Sequence, residues 1–300
     1  MKDPTISYSK LYLSSRFNIE YKKLIFRNRV YQIPSIDEDN SRSYTDLIEI
    51  DPDQLLDDIS INLFEINLSK NNITKIYFRL NPFFLKEIQL KVRKLLMSKN
   101  FQHDEVNILQ IDLNKNLINL KKSIRRSYKS LINKESKVLN VKFSSDKIDN
   151  QKLFLDWIEI YQKAISRSNV FLSKKTSYLL EKAIINKEYL LGVAYEKNFA
   201  VGGMLFKLNA GHAYYSAAAN NLEIEKDKKR YVGHFLMWNF ITKLKELGFS
   251  NLELGNYREE INTNLRLSVN ETKNDRIIRF KSGFGGELIK GFYFKKNFNL

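Results

Sequence analysis

The chain has 300 residues, of which 43% are hydrophobic and 13% aromatic, enough for a sizeable core in one large domain or in two of roughly 150 residues. It contains no cysteine, and the 3 histidines, His103, His212 and His234, lie too far apart for a spacing motif, which excludes disulfides, thiolate nucleophiles and zinc-thiolate centres; no metal is expected. A formal net charge of +16 at pH 7 favours polyanions such as tRNA, nucleotide-linked sugars, coenzyme A or anionic membrane lipid, while the richness in Lys, Asn and Ile together equally fits a solvated surface charge.

Two short alternating runs, Lys22 to Phe26 and Arg29 to Ile33, flank Arg27 and Asn28 and predict a hairpin. Asp51 and Pro52 open a helix in which Leu55, Ile59, Leu63 and Ile66 recur at helical spacing. Asn71 and Asn72 end it before an alternating strand, Ile73 to Leu80. The order repeats: Leu85, Ile88, Val92 and Leu95 mark a second helix, and Val106 to Leu113 a further strand, so this is the helix-then-strand order of an α/β chain.

A helix from about Lys115 to Lys134 follows, with Leu117, Leu120, Ile124, Tyr128 and Leu131 on one face and Lys121, Lys122, Arg125, Arg126 and Lys129 on another. Such a cationic face is either ordinary solvated surface or a wall turned toward phosphate, since Arg binds phosphate bidentately. A strand, Lys137 to Phe143, closes this half, and the polar stretch Ser144 to Asn150 places a boundary between halves at residues 1–146 and 147–300.

In the second half Phe154, Trp157, Ile158, Tyr161 and Ile165 form an amphipathic helix, and Thr176 caps another around Leu180 and Ile184. The period then changes to two. Tyr189 to Tyr195, Phe199 to Lys207 and His212 to Ala218 read as an antiparallel meander joined by short turns. A helix with Met237, Phe240, Ile241, Leu244 and Leu247 on its buried face stops at Gly248, ahead of a strand from Asn251 to Leu254. Near the C-terminus, Arg276 to Glu287 gathers cations, Phe280, Phe284, Gly283, Gly285 and Gly286, a pattern that predicts a turn with Lys281 beside it before a last strand, Leu288 to Phe294.

The meander, helix and following strand resemble the core of the GNAT acyltransferases, in which the acyl donor's phosphates sit at the start of that helix, where unpaired N–H groups suit pyrophosphate. With the Lys-x-x-x-Arg-Arg helix and the terminal Phe-Lys-x-x-Phe-Gly segment, the whole order resembles the Fem-type (FemABX) peptidyltransferases, which duplicate the GNAT fold and add aminoacyl or acyl groups to amines in the cell envelope. The resemblance implies an α/β (α+β) chain of tandem GNAT-like halves, each a mixed, largely antiparallel sheet flanked by helices.

The resemblance also implies roles. Phe280 and Lys281 fall at the reaction centre, where the lysine, read as a permanent cation, binds donor or acceptor phosphate or stabilises charge on the carbonyl oxygen. Arg230 and Gly233 match part of the GNAT donor loop, which reads Gln or Arg, two residues, Gly, one residue, then Gly or Ala. Phe235 holds the last position, where a large ring argues against ordinary acetyl-CoA. Tyr215, Asn220, Asn256, Arg125, Arg126 and Gly283 complete the binding residues; alternation lets only one of Tyr214 and Tyr215 face the cleft. Glu253 points away from Leu252 and Leu254 and reads as a strand-surface carboxylate, and His212 and His234 read as structural or loop residues.

The expected chemistry is acyl or aminoacyl transfer to an amine, with no bound cofactor and with aminoacyl-tRNA or acyl-CoA as donor co-substrate. The expected acceptor is a nucleotide- or lipid-linked glycan precursor, as in peptidoglycan synthesis, or, for an acyl-CoA-dependent enzyme, an amino sugar of surface polysaccharide. A non-catalytic nucleic-acid-binding protein is the rival of another class, although no RNA-module motif stands out. No apolar run approaches the ~20 residues of a membrane helix, and Met1 to Lys10 are polar, so a cytoplasmic protein is expected, with peripheral contact at an anionic inner membrane face left open.

Overall fold

A computed structural model describes residues 19–26, 29–39, 42–45, 48–50, 52–70, 73–146, 148–167, 172, 174–209, 211–221, 230–257 and 273–298. In chain order the first elements are β1 (Ile19–Phe26), β2 (Arg29–Asp39), β3 (Arg42–Thr45), β4 (Ile48–Ile50), a 3-10 turn (Pro52–Leu55), α1 (Asp58–Lys70), β5 (Ile73–Leu80), α2 (Lys86–Ser98) and β6 (Gln102–Asp112). Then come α3 (Leu117–Ser123), α4 (Arg126–Glu135), β7 (Leu139–Phe143), α5 (Asn150–Ser166), α6 (Lys174–Ile185), β8 (Tyr189–Glu196), β9 (Phe199–Asn209) and β10 (His212–Asn220). The chain continues through α7 (Val232–Glu246), β11 (Asn251–Tyr257), α8 (Lys273–Ser282) and β12 (Glu287–Asn297).

These elements form two compact units, Met1–Asn107 with Ile289–Leu300, and Ile108–Leu288. The division therefore falls within β6 rather than at residues 146 and 147, and the last strand returns to the first unit. There β12 pairs antiparallel with β5, and Phe294 stacks on Phe78 at 5.4 Å between ring centroids. The first unit orders its strands β1-β2-β3-β5-β12, with β4 also paired to β5. β1 and β2 are antiparallel with Phe26 opposite Arg29, as the hairpin expects; Arg27 and Asn28 lie outside the described residues. In α1 the buried apolar residues are Ile61, Phe64 and Leu68, whereas Ile59, Leu63 and Ile66 are 70%, 44% and 48% exposed. The expected apolar stripe is thus the outer one: Leu55 belongs to the preceding 3-10 turn and does not continue the helix, and Phe64 sets the inward face by packing edge-on to Phe78.

The second unit carries the expected meander. Its strand order is β6-β11-β10-β9-β8-β7, with β7, β8, β9 and β10 antiparallel in turn and β11 parallel to β10. A parallel pair needs a crossover, and α7 supplies it, burying Val232, Phe235, Leu236, Met237, Phe240, Ile241 and Leu244. Leu247 is 43% exposed at the helix end, and Gly248 follows at φ +81°, the left-handed stop that a Cβ would disfavour. β11 extends past its expected end to Tyr257.

Two expected elements differ. The helix expected from Lys115 to Lys134 is broken: Ile124 and Arg125 are extended, at ψ 138° and 136°, so the cations from Lys121 to Lys129 do not share the face of one helix. The break lets the Arg125 N–H donate to the Gly283 carbonyl at 2.8 Å. The second difference is α8, which makes Lys281 a helical residue with the turn only after it, at Gly283 to Gly286. The side chain of Thr176, the expected cap, is outside the described residues, and among the described residues no helix is long and apolar enough to cross a membrane.

Candidate functional site

The ladder between β10 and β11 joins only His212, Ala213 and Tyr214 to Asn251, Leu252 and Glu253. Beyond those rungs β10 bulges between Tyr215 and Ala217 and β11 runs on unpaired with it among the described residues, so the two strands form a fork. Lys281 enters that fork from the last turn of α8. Its Nζ donates to the carbonyl of Leu254, the first residue past the ladder, at 2.5 Å, and lies 4.2 Å over the ring of Tyr215. Gly255, at φ +95°, forms the next link, and a Cβ there would sit 3.5 Å from the ammonium. The lysine is therefore held by a backbone carbonyl, an aromatic face and a glycine that leaves room for it.

Burial lowers the Lys281 pKa to about 8, against the raising effect of Glu253. The group is thus not the permanent cation expected; it is charged at neutral pH and titrates just above it. Burial chiefly, with Tyr161 adding to it, raises the Tyr215 hydroxyl to about 12, so Tyr215 is a neutral phenol. Of the two tyrosines, Tyr215 faces the lysine, while Tyr214 lies in register with Glu253 and beneath the ammonium of Lys207. Glu253 alternates with the core residues Leu252 and Leu254, but it is 7% exposed, so it is not the surface carboxylate expected. Asn256 lies in β11; its side chain is outside the described residues.

A second wall forms at the start of α7. Added at Gly233, a Cβ would lie 3.4 Å from Asn220 Nδ2 and 3.6 Å from the Phe280 ring, so Gly233, Asn220 and Phe280, expected together, are together. His234 sits among rings, 4.2 Å from Tyr128, 5.1 Å from Phe280 and 5.9 Å from Tyr231 between centroids. Burial first, and Arg125 second, push its pKa down to about 4, so the imidazole is neutral. Phe235 turns into the hydrophobic core. Arg230 differs from its expected surroundings: its guanidinium is 2.7 Å from Glu196 and 3.6 Å from the fully buried Glu135, whose other oxygen accepts from the Tyr231 N–H at 3.3 Å. Its charge is balanced inside the protein.

Gly283 fixes how α8 docks. A Cβ there would be 2.1 Å from the Tyr128 ring, a contact only glycine permits, and Tyr128 donates in turn to the Arg279 carbonyl at 3.3 Å. Arg125 lies over the other wall of this junction, with its guanidinium 5.2 Å from the Tyr128 centroid, whereas Arg126 is exposed on α4 and is not brought to the fork. Tyr128, Glu135, His234 and Glu253 are the site residues that sequence reasoning missed. Alternation gave the direction of Glu253, but nothing local gave its burial, and His234 carried no spacing partner.

No protein-family profile matches the sequence, and no curated protein matches it either. Solved structures do match in shape. FemX superposes with a TM-score of 0.68 at 11% identity, covering 94% of this chain and 90% of that one. L-PGS from Bacillus licheniformis gives 0.57 at 12% identity over 94% and 84% of the two chains. A tandem GNAT protein from the clavulanic acid biosynthesis pathway gives 0.50 at 10% identity over 95% and 86%. The chain has the Fem-type, tandem GNAT fold expected of it.

Proposed function

We propose that this chain transfers an acyl or aminoacyl group from an activated ester or thioester to an amine. The observation that carries the reading is the Lys281 ammonium, half-buried at the fork between two parallel strands and anchored through the Leu254 carbonyl. An ammonium has three N–H donors, and one is used on Leu254, so others remain for an acyl oxygen. Amine attack on the donor carbonyl forms the new C–N bond and pushes charge onto that oxygen; Lys281 stabilises it until the C–O or C–S bond of the donor breaks, the electron pair leaving with the donor oxygen or sulfur, which takes up the proton released by the amine. The extended backbone of β10 beside the fork offers N–H and carbonyl groups that would align an amide-bearing chain, and the neutral His234 and the Phe280 ring line the approach.

Aminoacyl-tRNA fits as donor better than acyl-CoA. At the start of α7, where a pyrophosphate would use free N–H groups and Arg230, Glu135 and Glu196 already hold the guanidinium and the Tyr231 N–H. The acceptor is an amine on a nucleotide- or lipid-linked glycan precursor of the cell envelope, and the basic surface that includes Arg126 serves its phosphates or an anionic membrane face. The test is a donor and acceptor screen, first by heat stabilisation and then by amide formation. Stabilisation and transfer with aminoacyl-tRNA, and none with acyl-CoA, is the expected result. Transfer from acyl-CoA alone would overturn the donor, and salt-sensitive RNA binding without transfer to any amine would overturn the enzymatic reading.

A further inference from the structure

Among the described residues of the second unit, Phe199 is the most exposed large apolar side chain, at 73%, and it opens β9 directly after the turn of Lys197 and Asn198. Val138 is 41% exposed just before Leu139, which pairs with Glu196, the residue opposite Phe199 across the turn. Tyr231, 38% exposed, follows Arg230, whose guanidinium is held by the same Glu196. Exposed apolar groups from β9, from the entry to β7 and from the start of α7 thus meet at one end of the sheet. Lysines surround them. Lys197 lies in the turn, Lys134 in the last turn of α4 and Lys137 just past it, at the far end of that helix from Arg126, and the Lys134 ammonium is 5.5 Å from the centre of the Tyr231 ring. Glu196 and the fully buried Glu135 are both turned on Arg230, so the exposed charge on the described end of α4 and on the β8–β9 turn is that of the lysines.

Apolar groups standing in water among lysines, whose long stems lie along a surface while the ammonium reaches for phosphate, fit a bilayer with anionic headgroups. RNA fits this end less well: Val138 has no face on which a base could stack, and Arg230, which could pair with phosphate bidentately, is spent on Glu196 and Glu135. β11 runs parallel to β10, and β10 antiparallel to β9, so the fork opens at the edge of the sheet where β9 begins. We propose that this end of the second unit docks on an anionic lipid bilayer, with Phe199 and Val138 entering between headgroups and Lys134, Lys137 and Lys197 meeting lipid phosphates. Within the transferase reading the docked chain presents the fork to a lipid-linked amine, and that use rests on the reading; the docking itself does not.

Because the chain has no cysteine, one environment-sensitive fluorophore can be placed by Phe199→Cys, with Leu85→Cys, at a comparably exposed apolar residue of the first unit, as the comparison. The full chain is expected to co-sediment with vesicles of phosphatidylglycerol and phosphatidylcholine, to be released by salt, and not to bind phosphatidylcholine alone. On the anionic vesicles the label at 199 brightens and shifts to the blue, and the label at 85 does not. Each lysine near an anionic surface contributes about fivefold to partitioning, so Lys134→Gln, Lys137→Gln and Lys197→Gln together lower it about 100-fold. An equal loss of charge from the exposed side of α2, Lys86→Gln, Lys91→Gln and Lys94→Gln, lowers it far less. Phe199→Ser lowers it about tenfold with an unchanged Tm. No binding to anionic vesicles, a label at 199 that stays in water on bound vesicles, equal losses from the α2 variants, or a label at 199 that responds to RNA and not to lipid overturns the proposal. If the label enters the bilayer and no donor and amine yield an amide, the docking stands and the transferase reading fails; if amide forms and the label stays in water, the reverse holds.

Discussion

Lys281 is a charge held where water would not leave it, and its neighbours explain how. In the folded protein its pKa, about 8, is below the ordinary 10.5, so the unfolded chain binds its proton more readily. Stability from this group is therefore lowest below about pH 8 and rises as pH goes from there toward 10.5. His234 behaves in the other part of the range. Its pKa of about 4 lies below the ordinary 6.5, so its contribution is whole above about 6.5 and is lost as pH falls toward 4. Denaturant unfolding should show the protein losing about 1–2 kcal/mol between pH 7 and pH 5 from this residue, a loss absent in His234→Phe. Arg230 is testable at the same scale. Arg230→Ala leaves the fully buried Glu135 without its guanidinium and should cost about 3–5 kcal/mol in chemical denaturation. A purely donor-binding arginine would instead raise KM and leave stability unchanged. Lys281 and Gly283 were legible because cations, rings and glycines crowd one short segment. The ring cage of His234 was not, because Tyr128 and Phe280 are distant in the chain, and neither was the burial of Glu253, which the assembled sheet sets.

Among the elements, period was the reliable signal and its interruptions were not. The meander from Tyr189 to Asn220, the crossover helix and β11 all follow from alternation giving way to helical spacing and back. The break between α3 and α4 could not be read, since Ile124 and Arg125 continue a helical pattern and no Gly or Pro marks them. What unwinds them is nonlocal: the Arg125 N–H leaves the helix for the Gly283 carbonyl. The same junction hides α8, whose charged face reads as loop until Tyr128 packs against its end. Gly283→Ala tests that junction. The added Cβ would meet the Tyr128 ring at 2.1 Å, so the turn must shift and carry Lys281 with it. The expected result is a loss of about 1–3 kcal/mol in unfolding free energy with a larger fractional loss of transfer activity, and relief of the stability loss when Tyr128→Ala is combined with it.

At the scale of the whole chain, the tandem arrangement was legible from the repeated helix-then-strand order, whereas the path of the last strand was not. A strand after Gly286 could have closed the unit that precedes it; instead β12 pairs with β5, because Phe292 and Phe294 complete the apolar cluster built on Phe78 and Leu80. Phe294→Ala should therefore destabilise the first unit, by about 3–5 kcal/mol, in a denaturation monitored through that unit. The fork and its lysine belong wholly to the second unit. In the proposed transfer the Lys281 ammonium stabilises the acyl oxygen. This role is tested most directly by kcat/KM for Lys281→Met at pH 7 with the donor and amine identified in the screen, alongside its Tm. The expected result is a fall of about 10²–10³-fold and a Tm that is unchanged or higher, because a charge disfavoured by burial has been removed. Turnover equal to that of the unaltered protein would contradict it.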